Sequence, residues 1–466
     1  MTEVLTIESM AYHGAGIART AEGKVVFVEG AIAGDMVRPL ELQSLPQYDK
    51  CVSHELMEPS AARVPAPCSY ARECGGCPWQ AMSYEEQLRW KRGFVVDALE
   101  RIGKVANSNE LVAACEPSPS KWHYRNKVEL DVFRQKGKFC LGLHKKNSHE
   151  HIALEECLLL PQAQRQLPAH LAGALNYSLK EEQDKLVRVA LRSSRTTGSS
   201  ELALYMLPSG VNRSLLVKTL NNSRAFNSLV RVIVEDGKLV ERKVKKVEVL
   251  DGAGYWHEEL AGNHLKISAP SFFQPNSAVA EAMIAHLVRT VDQLSLGKDS
   301  PVADLYCGAG TFTLPLAKRF RKVYAIESYG SSIRDLRRNL EEVGLSARVE
   351  AIGGDVAREL ATLEPLTLAV VDPPRSGLKP EARRALLEAR PEHLIYVSCN
   401  PVTMARDLGN LCKEYEILSV APFDQFPQSY HVETMTVLRV KNCPHRPARS
   451  VKPNGAGSSE ELHNQQ

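Results

Sequence analysis

No run of apolar residues in this 466-residue chain approaches the ~20 needed to span a bilayer, so no membrane partner is expected. The N-terminus, MTEVLTIESM, lacks the basic-then-apolar order of a secretory signal. These two absences predict a cytoplasmic protein. There the 11 cysteines should be reduced thiols or metal ligands, not disulfides. An excess of charge of one sign is missing too: 58 Lys+Arg face 55 Asp+Glu, a net +3. A nucleic-acid partner would therefore be met by local basic patches. No internal repeat is found. What is present is ample apolar material, 44% of the chain, on a length that suggests about three domains.

Residues 1–57 read as short strands broken by glycine turns (VLTIES, GAGIART, KVVFVEG, DMVRPLELQ), which suggests an OB-like β-barrel. A Pro/Ala-rich stretch follows, then PCSYARECGGCPW at 67–79. SYEEQLRWKRGFVVDALERIG carries Phe94, Val95, Ala98 and Leu99 at helical spacing and stops at Gly103. Residues 121–250 look mainly β, with hairpins at RQKGKF and EDGKLV. Within 121–150, eight Lys/Arg face three Asp/Glu, and Trp122, Tyr124 and Phe133 are interleaved. That composition suits a surface that tracks a backbone and stacks bases, although a solvated hairpin face has the same composition. Arg125 and Lys127 are the expected phosphate contacts. From about 263 strands and helices alternate, which argues a mainly parallel sheet covered on both faces. The expected division is 1–57, 58–262, 263–443 and a disordered tail over 444–466.

PVADLYCGAGTFTLPLA sets a strand, a glycine turn and a helix in order. A dinucleotide fingerprint would want a third glycine where Thr313 stands, which weakens a nicotinamide dehydrogenase reading. Asp304, Glu327 and Asp355 end successive strands, and Asp372 ends the next in VVDPPRSGL. An acid at the second strand tip is placed for ribose hydroxyls. A ring of acids suits a cationic ligand better than a pyrophosphate, and S-adenosyl-L-methionine carries a sulfonium and an amine. Singly, each acid is more often a cap or turn residue. In amine methyltransferases an aromatic follows D-P-P; here Arg375 does, which makes an amine target less apt.

LIYVSCNP then brings Cys399 to a strand tip before a turn. A buried cysteine is usually a small hydrophobe. Carbon 5 of uracil, however, is a poor nucleophile until a thiolate adds at carbon 6, and the reaction then needs a base for the carbon-5 proton. Cys399 is the candidate nucleophile, and Glu433, at the start of the last strand, the candidate base. Cys68, Cys74 and Cys77 form C-x5-C-x2-C, a spacing open to zinc or to an iron–sulfur cluster. Cys157, Cys115, Cys140 or His123 could supply a fourth ligand.

DLYCGAGTFTLPLA, DPPRSGL, LIYVSCNP, HVET and SFFQPN together resemble the RNA uracil-5-methyltransferase family over most of the chain. The resemblance implies a Rossmann-like class I methyltransferase domain, and residues 1–57 resemble the RNA-binding TRAM module of these enzymes. It implies cofactor contacts from Gln274, Tyr306, Glu327, Asp355 and Asp372. Thr311 stands where many relatives carry asparagine. It also implies Cys399 as nucleophile, Glu433 as proton acceptor, and a 4Fe–4S cluster on Cys68, Cys74, Cys77 and Cys157. The barrel and the cysteine cluster together resemble the branch acting on 23S ribosomal RNA; the chain is expected to be monomeric. The same chemistry on transfer RNA or on another ribosomal uridine, and a non-catalytic RNA-binding iron–sulfur protein, are the competing readings.

Overall fold

The computed structural model of the chain describes residues 3–221, 226–235 and 244–441. The expected tail at 444–466, Cys443 and most of the EDGKLV turn lie outside the described residues. Among the described residues no helix is long and apolar enough to cross a membrane.

The N-terminal six-stranded sheet is curled on itself. Leu5–Thr6 pairs with Met36–Val37 at one edge, and Ser9–Met10 pairs with Gly16–Ile17 at the other. These two edge strands are consecutive in the chain, so segment 5–10 draws the two edges together around Leu5, Ile7, Val26, Val28 and Val37. The alternating burial of Val25–Val28 is the period-2 pattern that a one-sided core requires.

A second, seven-stranded sheet runs from Lys127 to Gly252. Its RQKGKF hairpin forms as expected, pairing Gln135 with Lys138 across Lys136 and Gly137, both with positive φ. The region is less purely β than its sequence suggests. Helices Leu167–Leu179 and Arg213–Asn221 bury Leu171, Leu175, Leu216 and Leu220 against the sheet.

The third sheet contains β1 (Val302–Leu305), β2 (Val323–Glu327), β3 (Val349–Gly353), β4 (Leu368–Val371), β5 (His393–Ser398), β6 (Tyr415–Phe423) and β7 (Glu433–Val440). Its order is β3-β2-β1-β4-β5-β7-β6, parallel except for β7, which runs antiparallel to both neighbours. The helices are α1 (Ser277–Gln293), α2 (Thr313–Arg319), α3 (Gly330–Glu342), α4 (Val356–Leu360), α5 (Pro380–Ala389) and α6 (Pro401–Leu411). Two apolar cores cover the two faces of the sheet, which is why β1, β4 and most of β5 are buried without alternation. This is the Rossmann-like α/β domain.

Packing does not divide at the expected 262/263 boundary. Helix Tyr84–Arg101 places Val95, Ala98 and Leu99 in a core of the third sheet. Hairpin Trp256–Ile267 places Trp256, Leu260 and Leu265 in the other. The helix precedes residue 263 and the hairpin straddles it, yet both belong to the third sheet by burial. Hydrophobic spacing announces that a helix buries a face; it does not say against what.

Candidate active site

The carboxyl edge of the third sheet gathers the expected acids. Tyr306 follows β1 with φ 64°, a left-handed conformation rarely held by a non-glycine residue. Gly310 needs its φ of 106° and its missing side chain, since a Cβ would sit 2.5 Å from Leu314. A Cβ on Gly308 would meet nothing within 4 Å, so the loop leaves open space there. Glu327 at the tip of β2 accepts from Gly308 N at 3.0 Å and from Tyr329 N at 2.7 Å, which fixes its carboxylate against the loop. Asp355 caps α4 by accepting from Ala357 N at 3.0 Å. Thr311 lies in the same turn as the glycines.

Asp304 is buried and accepts from Thr313 Oγ1, while its Oδ1 has no partner. Burial raises its carboxyl to about 7, with Asp372 and Glu327 adding repulsion. Asp372 is raised as well, by burial and by Glu327. Two buried acids raised in this way, beside Glu327, make a pocket that a cation relieves. The donor set fits a sulfonium and amine ligand with ribose hydroxyls near Glu327.

The other half of the edge holds Cys399 and Glu433. Ser398 of β5 pairs with Thr434 of β7, so the next step of the antiparallel register sets Cys399 opposite Glu433. Asn400 explains why the strand stops there: it caps α6 by accepting from Val402 N at 3.1 Å, and Pro401 occupies the first helical turn. Asn400 Nδ2 and Thr403 Oγ1 also donate to Arg375 O at 3.3 and 3.1 Å, tying the DPPR turn to the cysteine. Burial, then Glu433 and Asp372, push the Cys399 thiol up to about 12, while Arg375 opposes this. Glu433 is raised well above the usual carboxylate range by burial and by Asp372. His431 is lowered to about 3 by burial and by Arg375, so its Nδ1 accepts from Arg375 at 3.2 Å.

Residues 424–431, between β6 and β7, hold the site together, and sequence reasoning passed over them. Gln425 Nε2 donates to Gln274 Oε1 at 2.9 Å. Lys91 pairs with Asp424, both fully buried, and also donates to Phe426 O. Gln87 bonds Gln428 through both its amide and its carbonyl. Tyr124 Oη donates to Pro427 O at 3.1 Å. Asn126 Nδ2, from the second sheet, donates to Gln274 O at 2.8 Å. The one sequence signal was the density of polar and aromatic residues in FDQFPQSYH.

The expected phosphate contacts are placed differently. Lys127 Nζ is 2.7 Å from Glu129. The Arg125 guanidinium lies over the Phe426 ring, and its Nε is buried. Neither stands out as a free surface cation, because adjacent acids and aromatics draw them in.

Cys68, Cys74, Cys77 and Cys157 line one cavity with Tyr70, Trp122 and Leu143. The alternatives sort elsewhere: Cys115 packs in the third-sheet core, Cys140 Sγ faces Lys138 O, and His123 Nδ1 bonds Leu160 O at 2.7 Å. No three of the four sulfurs fall within 4.8 Å of one another, wider than the spacing around a single tetrahedral zinc at about 2.3 Å per bond. Among the described residues that tighter criterion is met by Asp131, His144 and His151, where Arg188 already pairs with the carboxylate at 3.0 Å.

The family of tRNA (uracil-5-)-methyltransferases matches residues 83–441. The chain belongs to this family. It is 31% identical to an uncharacterized RNA methyltransferase of Thermosynechococcus vestitus over 93% of this chain and 97% of that one. A counterpart in Gloeobacter violaceus is 33% identical over 94% and 96%. The Pyrococcus abyssi tRNA (uracil-54, C5)-methyltransferase, solved with S-adenosyl-L-homocysteine, shares the fold at TM-score 0.69. It covers 94% of this chain and 100% of its own, at 24% identity. The methyltransferase is thus an RNA-modifying enzyme using S-adenosyl-L-methionine.

Proposed function

We propose that the methyltransferase methylates carbon 5 of a uridine in 23S ribosomal RNA, with Cys399 as nucleophile and Glu433 as base. The register that sets Cys399 opposite Glu433 carries the reading. Bound S-adenosyl-L-methionine supplies an electrophilic methyl group; Gln274, Tyr306, Thr311, Glu327, Asp355 and Asp372 form its site. The Cys399 thiolate adds to carbon 6 of a base flipped from the RNA, and the electron pair moves to carbon 5. Carbon 5 takes the methyl group. Glu433 then removes the carbon-5 proton, the electron pair re-forms the ring double bond, and the Cys399–carbon 6 bond breaks. Burial holds both the Cys399 thiol and the Glu433 carboxyl toward their protonated forms, so each gives its proton to solvent before Cys399 attacks and Glu433 acts as base.

The donor set of Cys68, Cys74, Cys77 and Cys157 fits a 4Fe–4S cluster, all sulfur and set wider than a single zinc needs. Such a cluster would brace the second sheet, away from the methyl-transfer step. Iron content and visible absorption of anaerobically purified protein test this; an iron-free, colourless protein refutes it. The curled N-terminal sheet fits a TRAM role in RNA binding, and monomeric action in the cytoplasm completes the reading.

A second reading, transfer RNA as substrate, is favoured by the full-length fold match to a tRNA enzyme. Trapping separates the two. With S-adenosyl-L-methionine and RNA carrying 5-fluorouridine, the fluorine cannot leave as a proton does, so the methylated adduct stalls. A denaturation-resistant band with 23S RNA and none with transfer RNA is expected; the reverse makes it a tRNA enzyme. No band with either, despite methyl transfer to ordinary RNA, refutes chemistry at carbon 5.

A further inference from the structure

The N-terminal barrel reaches the active site through the turn between Ser9–Met10 and Gly16–Arg19. This turn packs on the approach to Glu433. A Cβ on Gly14 would lie 2.8 Å from the Tyr430 ring, and Trp79 Nε1 donates to Gly14 O at 3.3 Å. Tyr12 meets Phe94 and Tyr430 edge-on at 5.6 and 5.9 Å, so its ring is held between two fixed aromatics. Its hydroxyl oxygen is buried and has no hydrogen-bond partner. Buried hydroxyls are nearly always paired, so one left open calls for a ligand to complete it. The charges that bear on this hydroxyl belong to Arg375, Cys399, Tyr430 and Glu433. Burial raises it far above the ordinary tyrosine value, so it keeps its proton and is available as a donor.

We propose that Tyr12 is a substrate-binding residue of the active site, its hydroxyl donating a hydrogen bond to a carbonyl oxygen of the uracil seated over Cys399. Attack at carbon 6 pushes negative charge onto the carbon-4 carbonyl. A fixed donor in a water-poor site favours that charged state more than the neutral base. The barrel is then a wall of the catalytic pocket as well as a grip on RNA. The inference rests on the uracil-5 reading.

Tyr12→Phe removes the oxygen and keeps the ring packing. Single-turnover methylation at saturating RNA is compared with wild type, alongside the RNA dissociation constant, the melting temperature and the rate of 5-fluorouridine trapping. The expected result is a roughly 10- to 100-fold slower methylation, an equally slowed trapping, and unchanged RNA affinity and melting temperature. A variant that reacts at the wild-type rate overturns the inference. So does a rate loss that tracks a lowered melting temperature, because the hydroxyl would then be structural. A wild-type chain that methylates RNA yet never traps refutes the uracil-5 reading itself, and the inference falls with it.

Discussion

The two halves of the active-site edge are built on opposite plans. The proposed cofactor half, around Gly308, Glu327 and Asp372, is made by parallel strands and their own turns. Its key contacts join near neighbours, such as Gly308 N to Glu327 across β1 and β2. The proposed catalytic half, around Cys399 and Glu433, leans on residues 424–431, which are fixed by Lys91, Tyr124 and Gln87 from far up the chain. Local geometry builds most of the first half; Gln274 is the exception, held by Gln425 and Asn126. The second depends throughout on side chains that lie outside the third sheet.

Cys399→Ala should separate the halves most completely. Methylation and trapping should vanish while S-adenosyl-L-homocysteine binding by calorimetry is unchanged; a lost cofactor affinity would show the halves to be one. Lys91→Met strands the Asp424 carboxylate in the interior, and should cost about 3–5 kcal/mol in denaturant unfolding. Adding Asp424→Leu should recover much of that loss, whereas no recovery would mean that the pair is not the strut it is drawn as. Glu327→Gln removes a charged acceptor of two backbone donors and should weaken cofactor binding about 10- to 100-fold, with RNA affinity unmoved. A matching drop in RNA affinity would break the comparison.

The smallest effect concerns pH. The Asp304 carboxyl is raised to about 7 in the folded protein, against about 3.9 in an unfolded chain. The folded state therefore binds the proton more tightly. Its contribution to stability is full below about pH 4 and is lost as pH rises through about 7. Asp304→Asn, neutral throughout, should melt higher than wild type near about pH 8 and show no such gain near about pH 4. An equal offset at both values would mean that Asp304 does not titrate on unfolding.

The same contrast governs what could be read in the sequence. The glycine turn, the strand-end acids and the Ser-Cys-Asn-Pro strand end were legible, because each is a strong local pattern with a backbone reason. Asn400 caps the next helix and so must follow a strand tip. Lys91 was not legible: on a helix whose apolar face reads Phe94, Val95, Ala98 and Leu99, a lysine looks like the solvent side. Asp424, 333 residues away, and the Phe426 carbonyl make its burial tolerable. Tyr12 was hidden in the same way, in a turn that reads as surface until Tyr430 is seen against it. The cysteines split similarly: spacing grouped three, only the family resemblance named Cys157 as the fourth, and the fold sets all four along one cavity.

The closed barrel lays its first turn on Tyr430, three residues before Glu433 at the start of the last strand. Such a barrel is not inherited as a detachable accessory. Recombination that exchanged it between distant relatives would have to carry a matching partner for the ring at position 430. Lineages of this enzyme should therefore pass on the barrel and the last strand as one heritable unit, although Tyr12 and Tyr430 stand 418 positions apart in the chain.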